Sequence, residues 1–335
     1  MVFLSTLFIQ SLPYILTIGL CGIGLAFIPK LNILDIPQAR SAHEFPISKG
    51  GGIAIILAFC FGFLIWRLIN PALLLPFNTL YAFTGIFTLA IFSLIDDIQS
   101  QNVWLKLIVQ ILSSFLITES LGVSSTYTTG FTLLNVIYLN TINFMDGLNG
   151  LASGVIVISS FILAFAGAPN VLCYLLSGAL LTFLPWNFPR AHIFMGDVGS
   201  QTCALILCLI ANILIKNHTQ FSESYHLRII FLLPALLNGM LFDVFITLVI
   251  RSLKKDPITQ AHNTHLYQLA VRSNFLSPFY VTLIQWSFAI WGGIIELFLP
   301  LSISLILLLI PQVIWGSLVA YFWRKSSLFQ LKNLP

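Results

Sequence analysis

Charge is what this sequence has least of. Only 8% of its 335 residues are Asp, Glu, Lys or Arg, while 58% are apolar and the mean hydropathy is +0.97. A soluble domain carries about 25% charged and roughly 45–50% apolar residues. Fifteen basic and eleven acidic side chains cannot coat a water-soluble protein of this length. The net charge of +4 is small and dispersed, and gives no sign of a nucleic-acid partner. Cysteine is sparse as well. Cys21, Cys60, Cys173, Cys203 and Cys208 are odd in number, lie in apolar runs and form no CxxC, so no disulfide is expected and they read as lipid- or core-facing residues. A basic n-region is missing from the N-terminus, and the first apolar run, 3–28, is long enough to span, so no cleavable signal is expected. The apolar–polar alternation of transmembrane strands is missing too.

What is present is a series of continuous apolar runs. At roughly 20 residues per span they leave room for about ten helices. The expected fold is an all-α, polytopic membrane helical bundle of about 10–11 transmembrane helices, forming one domain over 1–335. Eleven spans are predicted at about 3–28, 51–69, 78–95, 103–119, 131–143, 150–168, 171–186, 195–215, 229–250, 277–299 and 301–323. The fifth is short, the seventh is interrupted by Pro185, and Pro169 lies between the sixth and seventh.

Alternating the loops puts twelve of the fifteen basic residues on one side, leaving Arg67, Lys216 and Arg228 on the other. The richer side is expected to be cytoplasmic, with the N-terminus outside and the C-terminus inside. This parity requires the short fifth run to be a span.

Five polar clusters fall on that same side: Asp35 to Gly52, Asp96-Asp97, Asn140 to Gly150, Gly196 to Ser200, and His262 to His265. Asp35, Glu44, Asp96, Asp97, Asp146, Asp197 and Asp256 follow the same pattern. Glu119, Glu223 and Glu296 lie opposite, and Asp243, inside the ninth run, is unassigned. Adjacent carboxylates such as Asp96 and Asp97 repel one another, and a divalent cation, a shared proton or simple hydration would relieve them. The segment 140–150 mixes Asn140, Asn143, Asp146 and Asn149 with glycines that permit close backbone approach. Few, hard oxygen ligands suit Mg²⁺, which completes its shell with water and substrate phosphate; a polar turn or helix cap is the alternative. Asp197 between Gly196 and Gly199 opens a helix, where it would cap the helix or sit beside bound phosphate. The spacing of His262 and His265 lacks further zinc ligands. With Arg251, Lys254, Lys255 and Arg272 nearby, it fits phosphate contacts better; a basic loop on lipid headgroups is the plainer reading. Arg40, His43 and Lys49 precede a glycine run that could approach phosphate closely or merely turn into a helix.

Five pieces, DIPQARSAHEFPISKGGG, the Asp96-Asp97 pair, NTINFMDGLNGLASG, FMGDVGS and HNTHLYQ, together resemble the polyprenyl-phosphate N-acetylhexosamine-1-phosphate transferases of glycosyltransferase family 4. They stand in that family's order and cover about 35–268. The RSAH and HxxHLYQ forms resemble the branch that starts O-antigen, and so lipopolysaccharide, or similar surface glycans. They are less similar to the triple-histidine peptidoglycan branch acting on MurNAc-pentapeptide.

The resemblance implies transfer of HexNAc-1-phosphate from a UDP-N-acetylhexosamine to undecaprenyl phosphate, with release of UMP. It implies a Mg²⁺ cofactor, with Mn²⁺ as the alternative ion. It also implies a lipid-facing bundle in the bacterial inner membrane, an active site on the cytoplasmic face, and a homodimer as one admissible assembly. By the resemblance, Asp197 is a metal ligand, and Asp96 and Asp97 are the essential pair, serving metal, acceptor activation or positioning. Asn143, Asp146 and Phe194 then line the nucleotide site, and His262 and His265 belong to the phosphate-binding loop; Asn140, Arg40, His43 and Lys49, from the polar clusters themselves, are expected as further substrate contacts. Many bacterial members have Asp where this chain has Asn149, whose amide can still bond uracil or ribose. A membrane transporter is the rival from another class, since buried carboxylates also mark ion pathways; such sites usually lie at the midplane between repeats, and no repeat is visible here.

Overall fold

The computed structural model describes residues 2–37, 45–218, 223–257, 260 and 262–332. Arg40 and His43, expected at the substrate, lie outside the described residues. The chain forms α1 (Val2–Phe27), β1 (Leu34–Asp35), β2 (Ile47–Lys49), α2 (Gly51–Ile69), α3 (Thr79–Ile98), α4 (Val103–Glu119), α5 (Ser125–Met145), α6 (Leu151–Phe165), α7 (Asn170–Asn187), β3 (Ile193–Phe194) and α8 (Gly196–Asn217). It continues with α9 (Glu223–Leu236), α10 (Asn238–Leu253), α11 (Leu266–Arg272), α12 (Pro278–Phe298) and α13 (Leu301–Lys332). It is an all-α polytopic membrane protein.

Among the described residues, six helices are long and apolar enough to cross a membrane by themselves, or seven if the bent α9–α10 pair counts as one span. The expected eleven runs all coincide with helices. The shortfall by length and apolarity comes from α4 to α7, which are short or carry polar residues that face inward. On α4 and α5 the buried side chains include Gln110, Ser113, Ser114, Thr118, Thr128, Thr132 and Asn135. The Thr118 and Thr132 hydroxyls share a hydrogen bond of 2.8 Å, and Asn212 Nδ2 on α8 donates to Asn135 Oδ1 at 3.2 Å. An interior polar group satisfied by a neighbouring helix lowers hydropathy without exposing anything to lipid.

Three span predictions are corrected. The fifth helix starts at Ser125 instead of 131 and is 21 residues long. Pro185 does not interrupt α7: it lies in the last turn, where losing one amide donor leaves most of the helix intact. The ninth run is not one straight span but two helices meeting at 68°. Pro234 removes a donor just before the break. Asn238 Nδ2 then closes the gap by donating to Ala235 O at 2.6 Å and Phe288 O at 2.9 Å.

α8 sits at the centre, its whole span buried and packed by α2, α3, α5, α6 and α7. A helix apolar all round belongs in that place. By contrast α1 and α13 turn Ile15, Ile23, Leu309 and Val313 outward. At the end of the bundle remote from the polar clusters, Lys216 Nζ donates to Pro76 O at 2.9 Å and Leu121 O at 2.5 Å, tying the end of α8 to two connecting turns. At the other end β2 pairs antiparallel with β1 and parallel with β3, bringing Lys49 opposite Phe194.

Candidate active site at one end of the bundle

Two glycines allow the site to form. The Gly52 amide at the start of α2 donates to Met195 O at 2.9 Å. A Cβ on Gly52 would collide with the Gly199 backbone at the start of α8, so the two helix starts approach as closely as backbones can. Gly196, at φ +74°, turns the chain from β3 into α8.

Into this junction α3 delivers both carboxylates of its last turn, and they take different work. The Asp97 side chain is fully buried. Its Oδ1 accepts from the Asp197 amide at 2.9 Å and from Lys49 Nζ at 2.7 Å, and its Oδ2 accepts from the Val198 amide at 3.0 Å. A carboxylate on one helix thereby caps the N-terminus of another, where its charge is favoured by the free amides and the helix dipole. Asp96 turns elsewhere. Its Oδ1 accepts from the Gln101 amide at 2.7 Å and its Oδ2 pairs with Lys106 Nζ at 2.5 Å, and it lies within hydrogen-bonding reach of the Asp197 carboxyl.

Asp197 Oδ2 accepts from Gln201 Nε2 at 3.2 Å, and Gln201 Oε1 accepts from Gln110 Nε2 at 3.0 Å. Gln110 and Asn140 then exchange amide bonds at 3.3 and 2.8 Å, and Asn140 Nδ2 also donates to Val136 O at 2.8 Å. The Asn140 amide, expected at the substrate, is therefore engaged two amides away from Asp197. Asn143 Nδ2 donates to Ser200 Oγ at 2.9 Å, holding α5 against α8 beside the acidic cluster.

Burial lowers the affinity of Lys49 for its proton, but Asp97, Asp197 and Asp35 outweigh this and leave its pKa above the ordinary lysine value. Asp146, just past the end of α5, goes the other way from a normal carboxylate. Lost hydration first, then the charges of Asp197 and Asp97, hold it well above the usual range, with Lys49 opposing.

The loop from Asp146 to Gly150 is fastened on two sides. Asn149 Nδ2 donates to Pro189 O at 3.0 Å, the Gly150 amide to Asn187 Oδ1 at 2.6 Å, and Asn187 Nδ2 to Ile193 O at 3.0 Å. From α12, Thr282 Oγ1 donates to Asn149 O and Trp286 Nε1 to Gly150 O, both at 3.0 Å. Phe194 follows through its backbone pairing with Lys49.

The two histidines stand next to this loop. Their rings stack with centroids 4.8 Å apart. His265 is buried and its Nδ1 lies 2.9 Å from Asp243 Oδ1. His262 is more open, and Thr264 Oγ1 lies 3.1 Å from its Nδ1. Burial, then His265 and Arg251, push the pKa of His262 from its ordinary 6.5 down to about 4, against the pull of Asp243 and Asp256. The unfolded chain therefore binds a proton that the folded one refuses. Stability falls as pH drops from about 6.5 towards 4. Purified protein should melt at lower temperature at pH 5 than at pH 7, and the difference should shrink in His262→Gln. An equal drop in the variant would remove His262 from the account.

Among the described residues no group of three or more His, Cys, Asp or Glu is arranged to hold a metal. That does not conflict with Mg²⁺, which needs only one or two carboxylates when phosphates supply the rest. The pairing of Asp96 with Asp197 supplies such a set, since two carboxyls in mutual reach call for a proton or cation between them.

The site thus unites Lys49, Asp96, Asp97, Asn143, Asp146, Asn149, Phe194 and Asp197 with the histidine pair. Sequence reading gave no role to the supporting Gln110, Gln201, Asn187, Tyr267 and Asp243, the last named only as unassigned. A polar residue inside an apolar run was the available signal for Gln110, Gln201 and Asp243. Lys106 was counted only for topology.

Membrane helices whose polar residues converge at one end, around paired carboxylates and lysines, define a polytopic membrane protein with an embedded acidic and basic site. Residues 79–215 match the model for glycosyl transferase family 4. The chain is 26% identical over 315 residues to the probable undecaprenyl-phosphate N-acetylglucosaminyl 1-phosphate transferase of Bacillus subtilis (strain 168), covering 85% of this chain and 84% of the relative. It is 31% identical over 222 residues to the decaprenyl-phosphate N-acetylglucosaminephosphotransferase of Mycobacterium leprae (strain TN), covering 53% of each. A phospho-N-acetylmuramoyl-pentapeptide-transferase of Orientia tsutsugamushi (strain Ikeda) is 26% identical over 288 residues, covering 68% of this chain and 77% of that one. The family-model match and these relatives together support the polyprenyl-phosphate N-acetylhexosamine-1-phosphate transferase family for this chain.

Proposed function

We propose that this protein transfers HexNAc-1-phosphate from a UDP-N-acetylhexosamine to undecaprenyl phosphate, releasing UMP and starting a surface glycan such as O-antigen. The observation that carries this reading is the meeting of Asp96, Asp97 and Asp197 with Lys49 and Lys106 at one end of a membrane bundle. Both reactants are anionic, so a site for them must offset their repulsion while keeping one reactant in lipid. An acceptor-phosphate oxygen attacks the phosphorus bearing the sugar, and the bond to the bridging oxygen breaks to free UMP. The acceptor phosphate is already ionised near neutral pH and needs no strong base.

Asp97 accepts three hydrogen bonds and is fully buried, which favours positioning over nucleophilic attack. This supports single displacement rather than an aspartyl-phosphate intermediate. Asp197 and Asp96 are the residues that would hold Mg²⁺, which when bound neutralises charge on the donor diphosphate. Lys49 and Lys106 stand ready to exchange their carboxylate partners for phosphate oxygens. Asn143, Asp146, Asn149 and Phe194 border the volume assigned to the nucleotide sugar, and His262 and His265 face its phosphates. An apolar groove of about 440 Å³ between α4 and α5, lined by Ile108, Ile111, Phe115 and Leu133 among others, offers the prenyl chain a lateral path.

The basic-residue asymmetry favours the cytoplasmic face of the bacterial inner membrane for the site. Its place at the bundle end disfavours a transporter. Purified protein supplied with undecaprenyl phosphate, Mg²⁺ and a panel of UDP-GlcNAc, UDP-GalNAc and 6-deoxy-HexNAc donors should release UMP with at least one of them. EDTA should abolish release and added Mg²⁺ restore it. Silence with every UDP-HexNAc would sink the proposal, turnover in EDTA would remove the metal, and turnover with UDP-MurNAc-pentapeptide alone would move the protein to the peptidoglycan branch.

A further inference from the structure

Asp243 is a carboxylate in the interior of α10, 1% exposed, in a stretch that is otherwise largely apolar. Burying a carboxylate costs free energy unless donors surround it, and here four do. Oδ1 accepts from the Leu266 amide at 2.9 Å, lies 2.9 Å from His265 Nδ1, and receives the Thr247 hydroxyl at 3.2 Å; Oδ2 accepts from the Tyr267 amide at 2.9 Å. Capping the short helix α11 would need only the two backbone bonds. The bond to His265 does something else. An ionised carboxylate only accepts, so Nδ1 carries the hydrogen, and Nε2 is the ring atom left to meet a ligand.

The same residues reach the donor loop. Tyr267, fixed through its amide by Asp243, donates its hydroxyl to Phe144 O at 3.1 Å. Its ring end packs so tightly on Gly147 that a Cβ there would overlap the phenol oxygen. The His265 ring also lies 6.2 Å from that of Phe144 and 4.8 Å from that of His262.

We infer that Asp243 is a positioning residue of the donor site: it sets the His265 ring and, through Tyr267, clamps the 262–268 segment against the 143–150 loop. The inference rests on the transferase reading above for its functional consequence, while the clamp itself does not depend on turnover. Asn at position 243 keeps the shape but replaces one acceptor oxygen with a donor, which must then face an N–H.

Asp243→Asn in the full-length protein should raise the KM for the UDP-sugar about tenfold, as removal of a partner that orients a binding group does, with the acceptor KM unchanged. Backbone amides of 143–150 and 266–272 should exchange with deuterium faster, and those of α8 should not. A purely structural loss would lower the active fraction, and so kcat, at constant donor KM; that result, or unaltered exchange in both segments, overturns the inference. If Asp243→Asn does not fold, Tyr267→Phe decides. It should raise donor KM about threefold, the scale of one net hydrogen bond, and speed exchange in 143–150; no change in either measurement overturns the clamp. Should the wild type fail to turn over any donor, the exchange comparison still tests the clamp, and the failure belongs to the transferase assignment.

Discussion

Replacing Asp197 with asparagine should cut UMP release by about 10²–10³-fold, the scale seen when one preorganised electrostatic group is removed from an active site, while leaving the protein folded. The reasons lie in how the residue is held. Asp97 caps α8 through backbone amides, including that of residue 197 itself, so the helix start does not depend on the Asp197 side chain. The Gln201 amide can still donate to the remaining side-chain oxygen, so the Gln201–Gln110–Asn140 chain survives. What disappears is a negative charge placed beside Asp96 and Asp97. Removing it relieves repulsion, so the melting temperature should stay level or rise. Loss of turnover with gain of stability is the signature of a group kept for chemistry. UMP release and thermal melting on the same preparation check both halves. Near-native turnover would take Asp197 out of the reaction, and a collapse in melting temperature would make it a structural residue.

Gly52→Ala should be the most damaging of the conservative substitutions. The added methyl would lie 2.9 Å from Met195 O and closer still to the backbone N and Cα of Gly199. Backbone cannot rotate out of the way, so α2 must move off α8, stretching the Gly52 amide bond to Met195 and drawing Lys49 away from Asp97. Overpacking of this sort costs about 3 kcal/mol at the upper end of the usual range, and the lost hydrogen bond adds to it. Gly130→Ala, on α5, is the control, because nothing lies within 4 Å of the added atom and helical alanine is favoured over glycine. Thermal melts of the two variants should diverge strongly, with UMP release lost in the first and kept in the second. Equal melting of the two would show that the junction yields.

The two substitutions test different parts of one design, in which small residues bring backbones together so that charged ones can meet. The glycines were visible as runs beside polar motifs, and their permissiveness was a sound reason to expect close approach. Which backbone each would touch was not visible. The same holds for Asn140. Its place in a polar motif suggested a substrate contact, but its partner Gln110 lies 30 residues away, on a helix whose inward face cannot be assigned from one short, weakly amphipathic run.

Length, apolar runs and scarce charge are properties of the chain taken a span at a time, because partition into lipid acts on each segment locally. They were enough to establish a helical membrane bundle, to place a helix under every expected run, though not the start of α5 or the end of α13, and to collect the polar motifs on one side. Bends escaped them where the side chain that closes a break bonds to another helix, as Asn238 shows by donating to Phe288 O on α12. Tertiary structure alone decided the division of labour between neighbours in sequence. Asp96 and Asp97 are chemically identical, yet one pairs with Lys106 and the other caps α8 a hundred residues on. It likewise gave Asp243, unassignable in its apolar run, four donors from α10 and the segment beyond it. A carboxylate's role is set by the donors that replace its water, and those arrive only when distant segments pack.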